Sequence, residues 1–218
     1  MDKEMNGGQT SLSRGEHAKR FLALGDSYTI GTSVAIDERW PRQLAERLRE
    51  ASIDFEEPTI IAKNGWTTSD LLTGIEAAKP TGSFQLVSLL IGVNNQYDGL
   101  NENDYVRELE ALLGKATQFA GGVPARVMVL SIPDWSVTPF AIERDQPAIR
   151  NEIERFNERK KSCADKFGAQ FVDVTPCSQQ AAEDASLLAS DGLHPSGKMY
   201  AAWCELSLPA AHRALAAH

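Results

Sequence analysis

The strongest constraint on the fold of this chain is an alternation of two hydrophobic periods. Apolar runs at residues 21–24, 59–62, 84–91, 126–130 and 171–174 are bounded by turn residues and too short to be helices in their own right, so they read as buried strands. Between them lie segments whose apolar residues recur three and four apart, the pattern of a helix with one buried face. Leu44, Ala45 and Leu48 mark such a helix over residues 40–51, with Pro41 suited to its first turn. Tyr105, Val106, Leu109, Leu112 and Leu113 mark another over 101–119, and Ile149, Ile153 and Phe156 a third over 147–166. Strand–helix repetition predicts a five-stranded parallel sheet with right-handed crossovers and helices on both faces. The expected fold class is therefore α/β, a three-layer α/β/α sandwich. Run 84–91 is the most apolar and belongs at the sheet centre.

Smaller signals fill in the chain. Thr67 to Asp70 offer a capped start for a helix carrying Leu71, Leu72 and Ile75. A short helix is expected over 178–183 and a last one over 196–211. The loop at 131–145, with Pro133, Trp135, Pro139 and Phe140, is long enough that an ordered form suggests a functional role. Residues 1–19 are polar and aperiodic, without the apolar centre of a secretory signal, and read as a disordered leader or a cloning remnant. A single domain over 20–218 follows. As written the chain is expected in the cytoplasm; a trimmed signal would instead mean a secreted or periplasmic protein.

Composition narrows the partners. A formal net charge of -8 over 218 residues argues against a nucleic-acid surface, which needs clustered Lys and Arg. No apolar run approaches the length of a membrane span. Cys163, Cys177 and Cys204 are odd in number and far apart, so free thiols are expected rather than a disulfide framework, and no Cys/His spacing resembles a zinc site. Neither a metal nor another cofactor is expected. Oligomeric state leaves no mark in the sequence.

The first strand stops at Gly25-Asp26-Ser27-Tyr28, which puts a serine at the carboxyl edge of the sheet, where open α/β sheets hold ligands. A serine nucleophile needs a base. His194 lies on the loop Asp191-Gly192-Leu193-His194-Pro195, where Asp191 is near enough to fix its tautomer. Asn94, in Gly92-Val93-Asn94-Asn95, and the amides of Ser27 and Gly65 are candidate oxyanion donors. Each also has a plain reading: Asp191 and His194 as turn and capping residues, Asn94 and Asn64-Gly65 as turns. Asp26 reads as an acceptor that orders the loop. Tyr28, Trp66, Asn95 and Trp135 are the candidates for a substrate pocket, or else side chains at the edge of the core.

In order and spacing these four blocks resemble those of the GDSL, or SGNH, hydrolases, from about Phe21 to the last helix. The resemblance implies a flavodoxin-like sandwich and a metal-free serine esterase or acyl hydrolase. It also implies Ser27 as nucleophile, His194 as base, Asp191 as its orienting acid, and Ser27, Gly65 and Asn94 as oxyanion hole. Tyr28 departs from the leucine of the family name, and Asn95 stands where many members carry Asp. The expected partner is a small-molecule ester, with a short acyl group such as acetyl favoured by the polar and aromatic Trp135 loop. A lysophospholipase or thioesterase on the same triad is the alternative. A rival of another class is a non-catalytic flavodoxin-like binder whose hydroxyl-rich loop, residues 27–33, cradles a flavin phosphate.

Overall fold

The computed structural model describes residues 18–217. Five strands, β1 (Phe21–Gly25), β2 (Thr59–Ala62), β3 (Leu86–Leu90), β4 (Val127–Leu130) and β5 (Gln170–Val172), form one sheet in the order β2-β1-β3-β4-β5. Every pairing is parallel. All residues of β1, β3 and β4 are buried, the pattern of strands covered on both faces. The helices doing the covering include α2 (Trp40–Glu50), α3 (Thr68–Ala78), α5 (Glu102–Phe119), α6 (Gln146–Phe167) and α8 (Gly197–Ala216). Trp40, Leu44 and Leu48 of α2 are wholly buried, as are Tyr200 and Trp203 of α8. Full burial of an apolar side chain of this size contributes about 1.5–3 kcal/mol.

The expected sandwich is present, and most boundaries fall within two residues of those read from the sequence. Thr67 accepts from the Asp70 N–H while the Asp70 carboxylate accepts from the Thr67 N–H, closing a capping box at the head of α3. Other elements shifted. Helix α7 (Thr175–Gln179) begins ahead of the expected 178–183 because Pro176 suits its first turn, and a 3-10 turn at Gln180–Ala182 follows. Helix α8 runs on to Ala216 despite Pro209, since its buried face continues through Ala210, Ala211 and Ala214. Two one-turn helices, α1 (Ser27–Ile30) and α4 (Val93–Tyr97), were not expected.

The leader assigned to residues 1–19 lies mostly outside the described residues. Its last residue, Lys19, bridges in parallel to Phe55 and so lengthens the contact beside β1. No helix among the described residues is long and apolar enough to cross a membrane.

The strand register builds the working edge. Gly25 lies beside Ala62 on one side and Leu90 on the other. Ser27, Gly65 and Asn94 therefore leave the sheet together, two, three and four residues past aligned strand ends. Chain order reverses on either side of β1, the topological switch point at which such sheets form a ligand crevice. Gly25 permits the close packing there: a Cβ would collide with the Leu90 carbonyl and Thr29.

Candidate functional site

Asp26 caps α1 by accepting from the Tyr28 N–H at 3.0 Å, which fixes the turn that presents Ser27. Ser27 stands at the first position of that helix and is 6 % exposed. Among the described residues its Oγ has no hydrogen-bond partner, and the ring bond of His194 goes to Asp191 instead. It opens into a cavity of about 250 Å³ that His194, Asn94 and Gly65 also line. Gly65 takes a φ of +77°, a left-handed conformation that costs a side-chain-bearing residue, and its tight turn ends β2 at the pocket wall. Neither the Ser27 nor the Gly65 N–H has an acceptor among the described residues.

His194 and Asp191 are joined by the short loop before α8. The Asp191 Oδ2 and the His194 Nδ1 are 2.7 Å apart, leaving the Nε2 edge of the ring for other partners. Asp191 Oδ1 accepts from the N–H groups of Leu193, at 3.0 Å, and His194, at 2.9 Å. The Ser33 hydroxyl donates to Asp191 Oδ2 at 2.6 Å. Burial pushes the Asp191 carboxyl upward, but the Ser33 bond, the two amides and the imidazole outweigh it and hold the group well below the usual carboxylate range. It is an anion at neutral pH. Tyr28 packs against the other side of the imidazole, ring centroids 5.6 Å apart.

Asn94 points its amide along the pocket because Nδ2 donates to the Trp66 carbonyl at 2.8 Å. Asn95 does something else. One step along α4 turns it roughly 100° away. It is 2 % exposed, accepts from the Thr68 N–H and donates to the Thr68 hydroxyl, tying α4 to the head of α3. It does not line the cavity, so the expectation of a pocket residue there is corrected to a brace. Trp66 is corrected in the same way: its ring packs against Gly74 of α3. Tyr28 and Trp135 do line the cavity, together with Tyr97 and Phe140, which the sequence reading had not singled out as pocket residues.

Ser33 was likewise missed as a site residue, although it belongs to the hydroxyl-rich loop read as a phosphate cradle. Two of those hydroxyls are committed inside the protein: Ser33 to Asp191, and Thr32 to the Asn64 side chain. Ser33 holds a φ of +65°, a strained value for serine that aims the hydroxyl at Asp191.

Chemically, the site offers a hydroxyl, an imidazole anchored by a carboxylate, and three N–H donors around one mostly apolar cavity. Known proteins resemble the chain in fold. The solved structures similar to it include TesA, with a TM-score of 0.69 at 19 % identity over 88 % of this chain and 97 % of that one. A lipolytic protein of the G-D-S-L family from Veillonella parvula gives 0.66 at 19 %, covering 88 % of this chain and 97 % of that one. Axe2, an acetylxylan esterase from Geobacillus stearothermophilus, gives 0.66 at 19 %, covering 88 % and 94 %. At such identities these likenesses speak for the fold. No curated protein sequence matches the chain. The model of the GDSL-like Lipase/Acylhydrolase family, however, matches residues 23–202, most of the chain and all four site blocks, and the chain belongs to that family.

Proposed function

We propose that the protein is a serine esterase that cleaves small carboxylic esters through an acyl-enzyme on Ser27. The observation that carries this reading is His194, held by Asp191 at 2.7 Å, on the wall of the same cavity that receives the unbonded Ser27 hydroxyl. His194 takes the Ser27 proton as Oγ attacks the ester carbonyl, with Asp191 holding the tautomer and stabilising the imidazolium. The N–H groups of Ser27 and Gly65 and the Asn94 amide receive the tetrahedral oxyanion. His194 then protonates the leaving alkoxide. Water, deprotonated by the same imidazole, releases the acid and restores Ser27. The absence of a Ser27–His194 hydrogen bond is compatible with this cycle, because catalytic hydrogen bonds of free enzymes often tighten only around substrate.

The size of the cavity, about 250 Å³ with buried Trp135 in its wall, supports a short acyl group such as acetyl. A longer-chain reading, a lysophospholipid or acyl thioester on the same triad, draws on exposed Leu100 and Ile142, carried by the segments that bear Tyr97 and Phe140. A series of aryl esters of rising chain length separates the two: kcat/KM is expected to peak at acetate or propionate, and a peak at long chains would replace the first reading with the second. Ser27→Ala is expected to abolish turnover of every member. A variant that still turns over aryl acetate at the wild-type rate would remove Ser27, and the mechanism with it.

A further inference from the structure

Behind the Tyr97–Trp135 wall of the catalytic cavity lies a second cleft of about 300 Å³. The partition between them is stiff. Trp135 is 4 % exposed, its Nε1 donates to Gln96 Oε1 at 2.9 Å, and Gln96 Nε2 donates to Glu152 Oε2 at 2.8 Å. By contrast Tyr97, which lines both cavities, and Phe140, which lines the catalytic cavity alone, leave 44 % and 42 % of their surfaces bare. The Arg144 guanidinium lies 5.0 Å from each of these two ring centroids and donates to the Tyr97 hydroxyl at 2.9 Å. Among the described residues Arg144 makes no salt bridge, so most of its donor fork is open. Two carboxylate oxygens share the cleft without a hydrogen bond among the described residues: Glu152 Oε1, and Asp145 Oδ2, whose Oδ1 caps α6.

That set of groups selects among ligands. An alkyl chain laid in the cleft would desolvate a guanidinium and two carboxylates and return no hydrogen bonds. An anion would gain Arg144 but meet Asp145 and Glu152 at close quarters. A polyhydroxylated ring answers every group at once: its hydroxyls accept from Arg144 and donate to the carboxylates, while a C–H face rests on the exposed edge of Tyr97. The cleft shares Tyr97 and Trp135 with the catalytic cavity, and a substrate acylated at one end would reach both by lying across the exposed edge of Tyr97.

We propose that this cleft holds the alcohol half of the substrate, that the alcohol is a sugar, and that Arg144 determines the preference. The proposal rests on the reading of Ser27 as nucleophile. When the bond between acyl carbon and sugar oxygen breaks, that oxygen takes the proton from His194 and the sugar leaves through the cleft.

The test compares three acetates on the intact chain: an acetylated methyl glycoside, a neutral aryl acetate and an aryl acetate carrying a ring sulfonate. Arg144→Met is expected to lower the ratio of kcat/KM for the glycoside to kcat/KM for the neutral aryl acetate about tenfold, through KM, as the loss of one charge-assisted hydrogen bond implies. Glu152→Gln, compared in the same way, is expected to lower it less, and thermal melts confirm that both variants fold. An unchanged ratio overturns the proposal. So does a loss concentrated on the sulfonated ester, which would make the cleft an anion site, or a wild type that turns over aryl acetate but not the glycoside. Failure to turn over any of the three would instead overturn the esterase reading itself.

Discussion

Two aspartates of the candidate site are held in opposite ways. Asp26, next to Ser27 in the chain, is wholly buried, accepts one hydrogen bond through Oδ1, and has no partner for Oδ2. Burial drives its pKa up to about 7, against the opposing pull of the Tyr28 amide and the charge of Lys160. Asp191 is partly open and gathers bonds from a hydroxyl, two amides and an imidazole, which depress it despite burial. Depth dominates at Asp26 and donor count at Asp191, and together they move the two carboxyls in opposite directions. An anion suits the partner of His194. A carboxyl that keeps its proton to higher pH suits a residue beside the proposed oxyanion donors, where a full negative charge would oppose the charge that would develop in an ester cleavage.

Lys160 extends the contrast into the core. It is wholly buried, donates to the Leu130 carbonyl at 3.0 Å, and is brought down to about 7 by burial against the pull of Asp26. Two buried groups of opposite type with overlapping titrations behave as a unit.

The sharpest way to break the comparison is Asp191→Asn. With the wrong imidazole tautomer admitted, kcat is expected to fall on the order of 10³–10⁴-fold while the melting temperature changes little. A loss below about tenfold would demote Asp191 to a loop brace. Next comes Asp26→Asn, read by stability. The folded state holds the Asp26 proton above the ordinary carboxylate range, so its stabilising contribution is complete below about pH 4 and is lost as pH rises to about 7. The unfolding free energy of the wild type minus that of Asp26→Asn should therefore decline between those limits, by at most about 4 kcal/mol. Urea titrations at a series of pH values check this, and a flat difference would mean that the two aspartates are not held differently. The smallest effect belongs to Ser33→Ala, which removes one of the bonds on Asp191. Turnover is expected to drop by a few fold, about 1 kcal/mol. An unchanged kcat would show that the other bonds suffice.

How much of this was legible before any coordinates follows from the length over which each signal repeats. The five strands and the long helices announce themselves through periods sustained over many residues, and the strand order then gathers the rim residues without further information. Helices α1 and α4 have four and five residues, too few to display a period, so the turn that separates Asn94 from Asn95 was invisible. Two adjacent amides looked alike in sequence; one faces the cavity and the other faces Thr68. Ser33 was hidden for a different reason. Its bond to Asp191 spans 158 positions of chain and depends on a backbone conformation that serine seldom adopts. Arg144 and Phe140 sit in a loop whose packing no local pattern encodes.

The aligned strand ends carry a consequence for how the protein tolerates change. Because Ser27, Gly65 and Asn94 depend on fixed counts of residues beyond Gly25, Ala62 and Leu90, one inserted residue after β3 would swing the Asn94 amide about a quarter turn off target. The opposite rim has no such arithmetic: Gly121 and Gly122, between α5 and β4, merely return the chain to the sheet. Length variation and grafted segments belong on that side, and an engineer wishing to tether the protein to a surface would leave the serine's edge facing outward.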